Sequence, residues 1–78
     1  MTFKEALEIA IKNDEVVRRH ANRVRIAVGL GGSTGCLPFM VNGEAFYYGF
    51  DGVDLHAGKY TKAQTHYLVK KDAIRIIR

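Results

Sequence analysis

The sequence predicts an α+β fold: an N-terminal helix packed on an antiparallel meander sheet of four to five strands, with a second short helix before the C-terminal strand. Three observations carry this. Helical apolar spacing, opened each time by a Thr-x-x-Glu/Gln capping box, occurs near both ends of the chain. Between them lie short runs of alternating or continuous apolar character, separated by glycine-containing turns. The length of 78 residues bounds the chain to one domain, residues 1–78. Helices segregated from antiparallel strands define the α+β class.

In "TFKEALEIAIKN", Phe3, Ala6, Leu7, Ala10 and Ile11 fall on one side of a helix. The Thr2 hydroxyl and Glu5 carboxylate satisfy backbone N–H groups at its start. Asn13-Asp14 ends the helix, because continuing it would set Asp14 on the apolar stripe. "DEVVRR" then fits either a further helical turn or a short strand. "RVRIAV" alternates: Val24, Ile26 and Val28 point one way, Arg23, Arg25 and Ala27 the other. It is predicted as a half-buried strand with a basic outer face. After the glycine-rich loop, "CLPFMV" reads as the next strand, with Pro38 favouring an edge or a bulge. Asn42-Gly43 suits a type I′ turn, which needs positive φ at both central residues. "EAFYYGF" is the returning strand, with Phe46, Tyr48 and Phe50 on one face and Tyr47 on the other. Asp51-Gly52 closes it, and "VDLH" is read as a brief pairing segment. "YTKAQTHYLVKKD" opens with Thr61 and Gln64 in a second capping box and ends in Lys70-Lys71, at the negative pole of the helix dipole. "AIRIIR" closes the chain as a strand. The expected core joins Leu7, Ile11, Val24, Ile26, Val28, Ile74 and Ile76.

Composition excludes several classes. Hydrophobic residues make up 47%, enough for one modest core but not for a core and a deep enzymatic cleft. A domain of this size buries only about 60% of the surface of its unfolded chain. No apolar run approaches the ~20 residues of a membrane span, so no membrane partner is expected. Glutamates interrupt the apolar pattern at the N-terminus, unlike a signal peptide. Cys36 is the single cysteine, so no internal disulfide forms, and a reducing, cytoplasmic setting is expected.

The net charge of +4 is unevenly laid out. Residues 1–17 carry two lysines against four acids. Arg18, Arg19, Arg23 and Arg25 follow with no acid among them. Residues 26–58 hold only Glu44, Asp51 and Asp54. The tail holds Lys59, Lys62, Lys70, Lys71, Arg75 and Arg78 against Asp72. Two basic segments meeting in space would attract an anion; two solvated faces are the plainer account. If the closing strand lies beside residues 23–28, then Arg18, Arg19, Arg23, Arg25, Lys70, Lys71 and Arg75 form the expected partner-binding set.

"GLGGSTGCLPF" raises the question of phosphate binding. Its glycines lack the G-x-G-x-x-G spacing and the following helix of a dinucleotide fold, and no lysine completes a P-loop. Two readings stand: a turn, for which glycine serves first, or a looser backbone nest in which Gly31, Gly32, Ser33 and Thr34 contact an anion. Cys36 with His56 or His66 and Asp54 has no spacing that specifies a thiol nucleophile, and the histidines lack zinc-type pairing. No catalytic residue, metal ligand or cofactor is therefore assigned. His20, between arginines, is expected to be exposed. Phe46, Tyr48 and Phe50 read as core, and Tyr47 as the candidate surface aromatic, able to stack a base.

"TFKEALE" at the start, "VVRRHAN" after the first helix and "YTKAQTHYLVKKDAIRII" at the end occur in an order that resembles the small phage-encoded Thoeris anti-defence sponges. Those proteins capture a signalling nucleotide derivative. The likeness in order spans most of the chain, through short motifs. It lacks the family's tryptophans: His20-Ala21-Asn22 stands where a Trp-Asn segment is found, and Ala73 follows Asp72 in place of tryptophan. The resemblance implies a non-enzymatic, phage-type counter-defence or regulatory factor. Three hypotheses follow: a small basic binding protein engaging an anionic host partner, either nucleoprotein or RNA; a homo-oligomeric sponge holding a nucleotide-derived ligand; and, last, a small cysteine hydrolase.

Overall fold

The computed structural model describes all 78 residues. Helix α1 spans Phe3–Asn13 and helix α2 Glu15–Leu30. The capping box at Thr2 and Glu5 forms as the sequence implies, with bonds of 2.8 and 3.2 Å. Asp14 separates the helices with extended backbone, and its carboxylate accepts from the Val17 N–H at 3.1 Å, so one residue ends α1 and caps α2.

Residues 23–28 are helical, which corrects the predicted strand. Val17, Val24 and Ala27 are the buried residues of α2, spaced by seven and three as one helical face requires. Ile26 and Val28, which supplied the apparent alternation, are each 53% exposed. Gly31 takes φ 82° beyond the last turn, and the N–H groups of Gly31 and Gly32 both donate to Ala27 O, at 2.8 and 3.0 Å. The ambiguous segment 14–19 is thus the cap and first turn of the same helix.

The sheet follows. Strand β1 spans Leu37–Val41, β2 Glu44–Phe50 and β3 Leu55–Lys59. Helix α3 spans Lys62–Lys70, and β4 is the two-residue Arg75–Ile76. The β1–β2 turn is tight: Asn42 and Gly43 have φ of 51° and 79°, the signature read from Asn-Gly. Strands β1, β2 and β3 form an antiparallel meander. The fourth strand departs from that expectation. The order is β3-β2-β1-β4, and β4 runs parallel to β1. Two antiparallel steps leave β3 parallel to β1, so the chain must cross from one edge to the other to set β4 beside β1. Such a crossover needs a dozen or more residues and is usually helical; α3 occupies it. The domain is therefore α+β with two helices before a mixed sheet, rather than one helix before a meander.

Ala6, Ala10, Val17, Phe39, Val41, Phe46 and Ile77 form the buried cluster. Phe39 and Phe46 are cross-strand partners with stacked rings 5.7 Å apart. Phe3 of α1 meets both edge-on, at 6.3 and 6.4 Å. Burying each of the two strand phenylalanines contributes roughly 1.5–3 kcal/mol. Small Ala6 and Ala10 let α1 lie close on these rings. Of the expected core, Val24 is buried, while Leu7, Ile11 and Ile74 are half-buried. Ile26, Val28 and Ile76 are exposed, because α2 turns the first two outward and the last faces away from α1 and α2.

One glycine fixes the path between α2 and the sheet. A Cβ on Gly49 would lie 2.6 Å from Gly35 O and 2.8 Å from Cys36 Cα. The chain returning from α2 crosses directly against β2 there, and only glycine permits it.

Candidate functional site

The exposed flanks of α2 form the candidate binding surface. Residues 23 and 25 sit about 200° apart around a helix of 3.6 residues per turn. Arg23 and Arg25 therefore emerge on opposite flanks instead of the single face that a strand would give them. Arg23 joins His20, Ile26 and Leu30 of α2 and the loop residues Gly32, Ser33, Thr34 and Gly35 around an open groove of about 440 Å³. Arg25 joins Val28, Leu55, Leu7 and Ile11 at a second, largely apolar groove of about 420 Å³ between α1, α2 and β3. The fold thus brings Arg23 together with the glycine loop, while Arg25 stands apart from both.

The remaining cations have internal partners or lie elsewhere. Arg18 donates through Nε to Ile11 O at 2.9 Å and through Nη2 to Lys12 O at 3.3 Å, closing the end of α1. Arg19 pairs with Glu15 one turn earlier, at 2.9 Å on an exposed face, a bridge of small energetic consequence. Arg75 donates through Nε to both Asp14 oxygens, at 2.7 and 2.8 Å. That bond, chiefly, holds the Asp14 carboxyl below its ordinary range, against the opposing effect of desolvation. Arg75 thereby ties β4 to the α1–α2 junction. Lys70 and Lys71 close α3, with Lys71 Nζ 5.6 Å above the Tyr67 ring. Arg23 and Arg25 make no ion pair or hydrogen bond within the chain.

The glycine loop spends most of its donors on the fold. Gly31 and Gly32 N–H cap α2. Thr34 N–H donates to Phe50 O at 2.6 Å; its hydroxyl accepts from Phe50 N–H at 2.9 Å and donates to Gly35 O at 3.0 Å. The Ser33 hydroxyl carries no such bond, and Ser33 is among the residues that line the Arg23 groove. His20, expected to be exposed, is half-buried, with Nε2 2.7 Å from Tyr48 O. A carbonyl only accepts, so Nε2 carries the proton and Nδ1 is the acceptor in the neutral ring. Its i, i+3 relation to Arg23 was the available signal, readable once the segment is taken as helix.

The sheet face away from α1 and α2 holds the other candidates. Tyr47 lies across Gly58, where an added Cβ would stand 2.6 Å from its hydroxyl, and its ring is 4.9 Å from Tyr60. Tyr47 is half-buried and props the β2–β3 pair. Cys36 and His56 border one open cavity with Tyr47, Tyr60 and Gln64. His56 Nε2 is 2.7 Å from Asp51 Oδ2, and no hydrogen bond joins the thiol to the imidazole. Burial pushes the thiol up from its ordinary value, the wrong direction for an activated nucleophile. The Asp51 carboxyl is held down to about 2, first by His56 and then by the N–H groups of Asp54 and Val53. No group of three or more His, Cys, Asp or Glu side chains is placed to hold a metal ion. No helix is long and apolar enough to cross a membrane. Comparison with family models, curated proteins and solved structures returned no match.

Proposed function

We propose that the domain is a non-catalytic binding protein, a phage-type counter-defence or regulatory factor that engages an anionic host macromolecule, nucleoprotein or RNA, through the flanks of α2. The observation that carries this reading is the pair of unpartnered arginines, Arg23 and Arg25, on an exposed helix of a chain with net charge +4. A guanidinium free of internal acids is available for bidentate phosphate contact. Binding of a labelled single-stranded RNA, followed by fluorescence anisotropy across salt concentration, tests it. Log affinity should fall by about 0.7 per log unit of salt for each phosphate neutralised on a single strand. Arg23→Glu with Arg25→Glu should abolish binding and leave the fold intact, since exposed substitutions usually change stability by no more than about 0.5 kcal/mol. Wild-type affinity in that double variant overturns the reading.

A second reading draws on one further observation. Arg23 and Ser33 border the same groove of about 440 Å³, within the range of small-molecule sites. A nucleotide-derived ligand held there would show a shallow salt dependence and would lose affinity in Ser33→Ala, a change that leaves a macromolecular partner bound. Thr34 is unsuitable for this test, because its hydroxyl holds Phe50.

A further inference from the structure

Strand β3 is an edge strand of five residues, Leu55–Lys59, four of them exposed. Its ladder with β2 fixes which backbone groups are free. Tyr60 N–H donates to Ala45 O and Asp51 N–H to Asp54 O, so the even-numbered residues of β3 bond inward. The N–H and C=O groups of Leu55, Ala57 and Lys59 therefore point away from the sheet. Long exposed edges are templates for further pairing unless charge, proline or a covering element blocks them. Here the only lysine on the strand, Lys59, is bonded to Glu44, no proline occurs, and α3 leaves the edge to cross the sheet.

We propose that this edge pairs antiparallel with β3 of a second copy, about a two-fold axis at Ala57, joining two four-stranded sheets into one of eight. Charge along the strand selects that occupant. The segment begins with Asp51 and Asp54 and ends with Lys59 and Lys62. Antiparallel pairing sets the acidic start of one copy against the basic end of the other. Centred on Ala57, Leu55 lies opposite Lys59 of the copy, so Asp54 just before the strand comes near the copy's basic strand end, beyond which Lys62 opens α3. A parallel pairing would set like charges together. Size agrees as well: on the face away from α1 and α2, His56 meets Gly58. On the other face, Ala57 meets Ala57, and Leu55, 53% exposed, meets the aliphatic stem of Lys59. Arg25 shares its groove with Leu55, so pairing brings the two Arg25 flanks to one side of the joined sheet, next to the junction. The proposal does not depend on what α2 binds.

Sedimentation equilibrium of the full chain over a concentration series, with amide hydrogen exchange of the same samples, tests it. The expected species has twice the 8.7 kDa mass of one chain. The Leu55, Ala57 and Lys59 amides should gain protection as concentration rises, while His56 and Gly58 stay protected throughout. Ala57→Pro deletes only an outward donor and should give a folded monomer; proline is tolerated on an edge whose N–H faces solvent. Asp54→Lys should weaken pairing at least tenfold. A chain monomeric up to about 1 mM, the range of weak association, overturns the proposal. So does a dimer in which the three outward amides exchange freely, whatever the fate of the proline variant.

Discussion

Gly49→Ala isolates the closest contact in the fold. The added methyl would sit 2.6 Å from Gly35 O and 2.8 Å from Cys36 Cα, both backbone atoms that no rotamer change can remove. Relief requires the 35–36 segment to retreat by more than half an ångström, on the order of the gap to ordinary van der Waals contact. That segment has little slack. Thr34 binds Phe50 through both its N–H and its hydroxyl, at 2.6 and 2.9 Å, and Leu37 is already in register with Tyr48. Forced overpacking of this kind costs about 1–3 kcal/mol. For a domain of this length each kcal/mol lowers Tm by about 4–8 °C. Gly35→Ala is the matched control: the same atom is added, nothing lies within 4 Å of it, and φ is not left-handed. It should be neutral, or stabilising by up to about 1 kcal/mol through reduced entropy of the unfolded chain. Urea denaturation followed by far-UV circular dichroism, with tyrosine fluorescence as a second probe, measures both. If Gly49→Ala loses less than about 0.5 kcal/mol, the usual effect of an exposed substitution, or if the two variants behave alike, the close crossing against β2 is refuted.

Two further outcomes are expected. Gly29 lies in the last turn of α2 with open space around its α-carbon, so Gly29→Ala should stabilise the domain by roughly 0.5–1 kcal/mol; a loss in thermal denaturation would mean that the helix stops short of residue 29. Asp14 has a depressed folded pKa, caused first by its bond from Arg75. Its contribution is therefore complete above the unfolded value of about 3.9 and is lost as pH falls through the lower folded value. Arg75→Gln should lessen stability at neutral pH and flatten the acid limb below about pH 4, as read by urea midpoints at stepped pH. An acid limb unchanged by the substitution would show that the β4 tie to the helix junction contributes nothing.

Local chemistry was legible where one residue type has one physical use. Thr2 with Glu5, Thr61 with Gln64, and Asn42-Gly43 each adopt the cap or turn their side chains and φ preferences dictate. Phe46 was readable as core for the same reason: an apolar ring on an alternating strand has one favourable side. Pairing partners were not legible, because "AIRIIR" carries no mark of whether it joins β1 or β3, or in which direction. That choice is made by the length of the crossover and the free edge, which are properties of the whole chain.

The misread segment has the larger consequence. Over 24, 26 and 28, alternation and helical periodicity overlap: at about 100° per residue, positions 24 and 28 lie about 40° apart and 26 opposes them. A window of six residues cannot separate the two periods, and the deciding signals stand outside it, in the Asp14 cap and the Gly31 terminator. The functional geometry turns on that decision. As a strand, Arg23 and Arg25 would be one patch beside the closing strand. As a helix, they divide between a polar groove shared with Ser33 and an apolar groove shared with Leu55. Single substitutions therefore separate them. If RNA binds across the whole of α2, Arg23→Glu and Arg25→Glu should each weaken it to a similar degree. If a small nucleotide-derived ligand sits in the polar groove, Arg23→Glu alone should abolish binding and Arg25→Glu should leave it unchanged. A chain in which only the Arg25 substitution mattered would assign the contact to the apolar groove and refute both readings of the site.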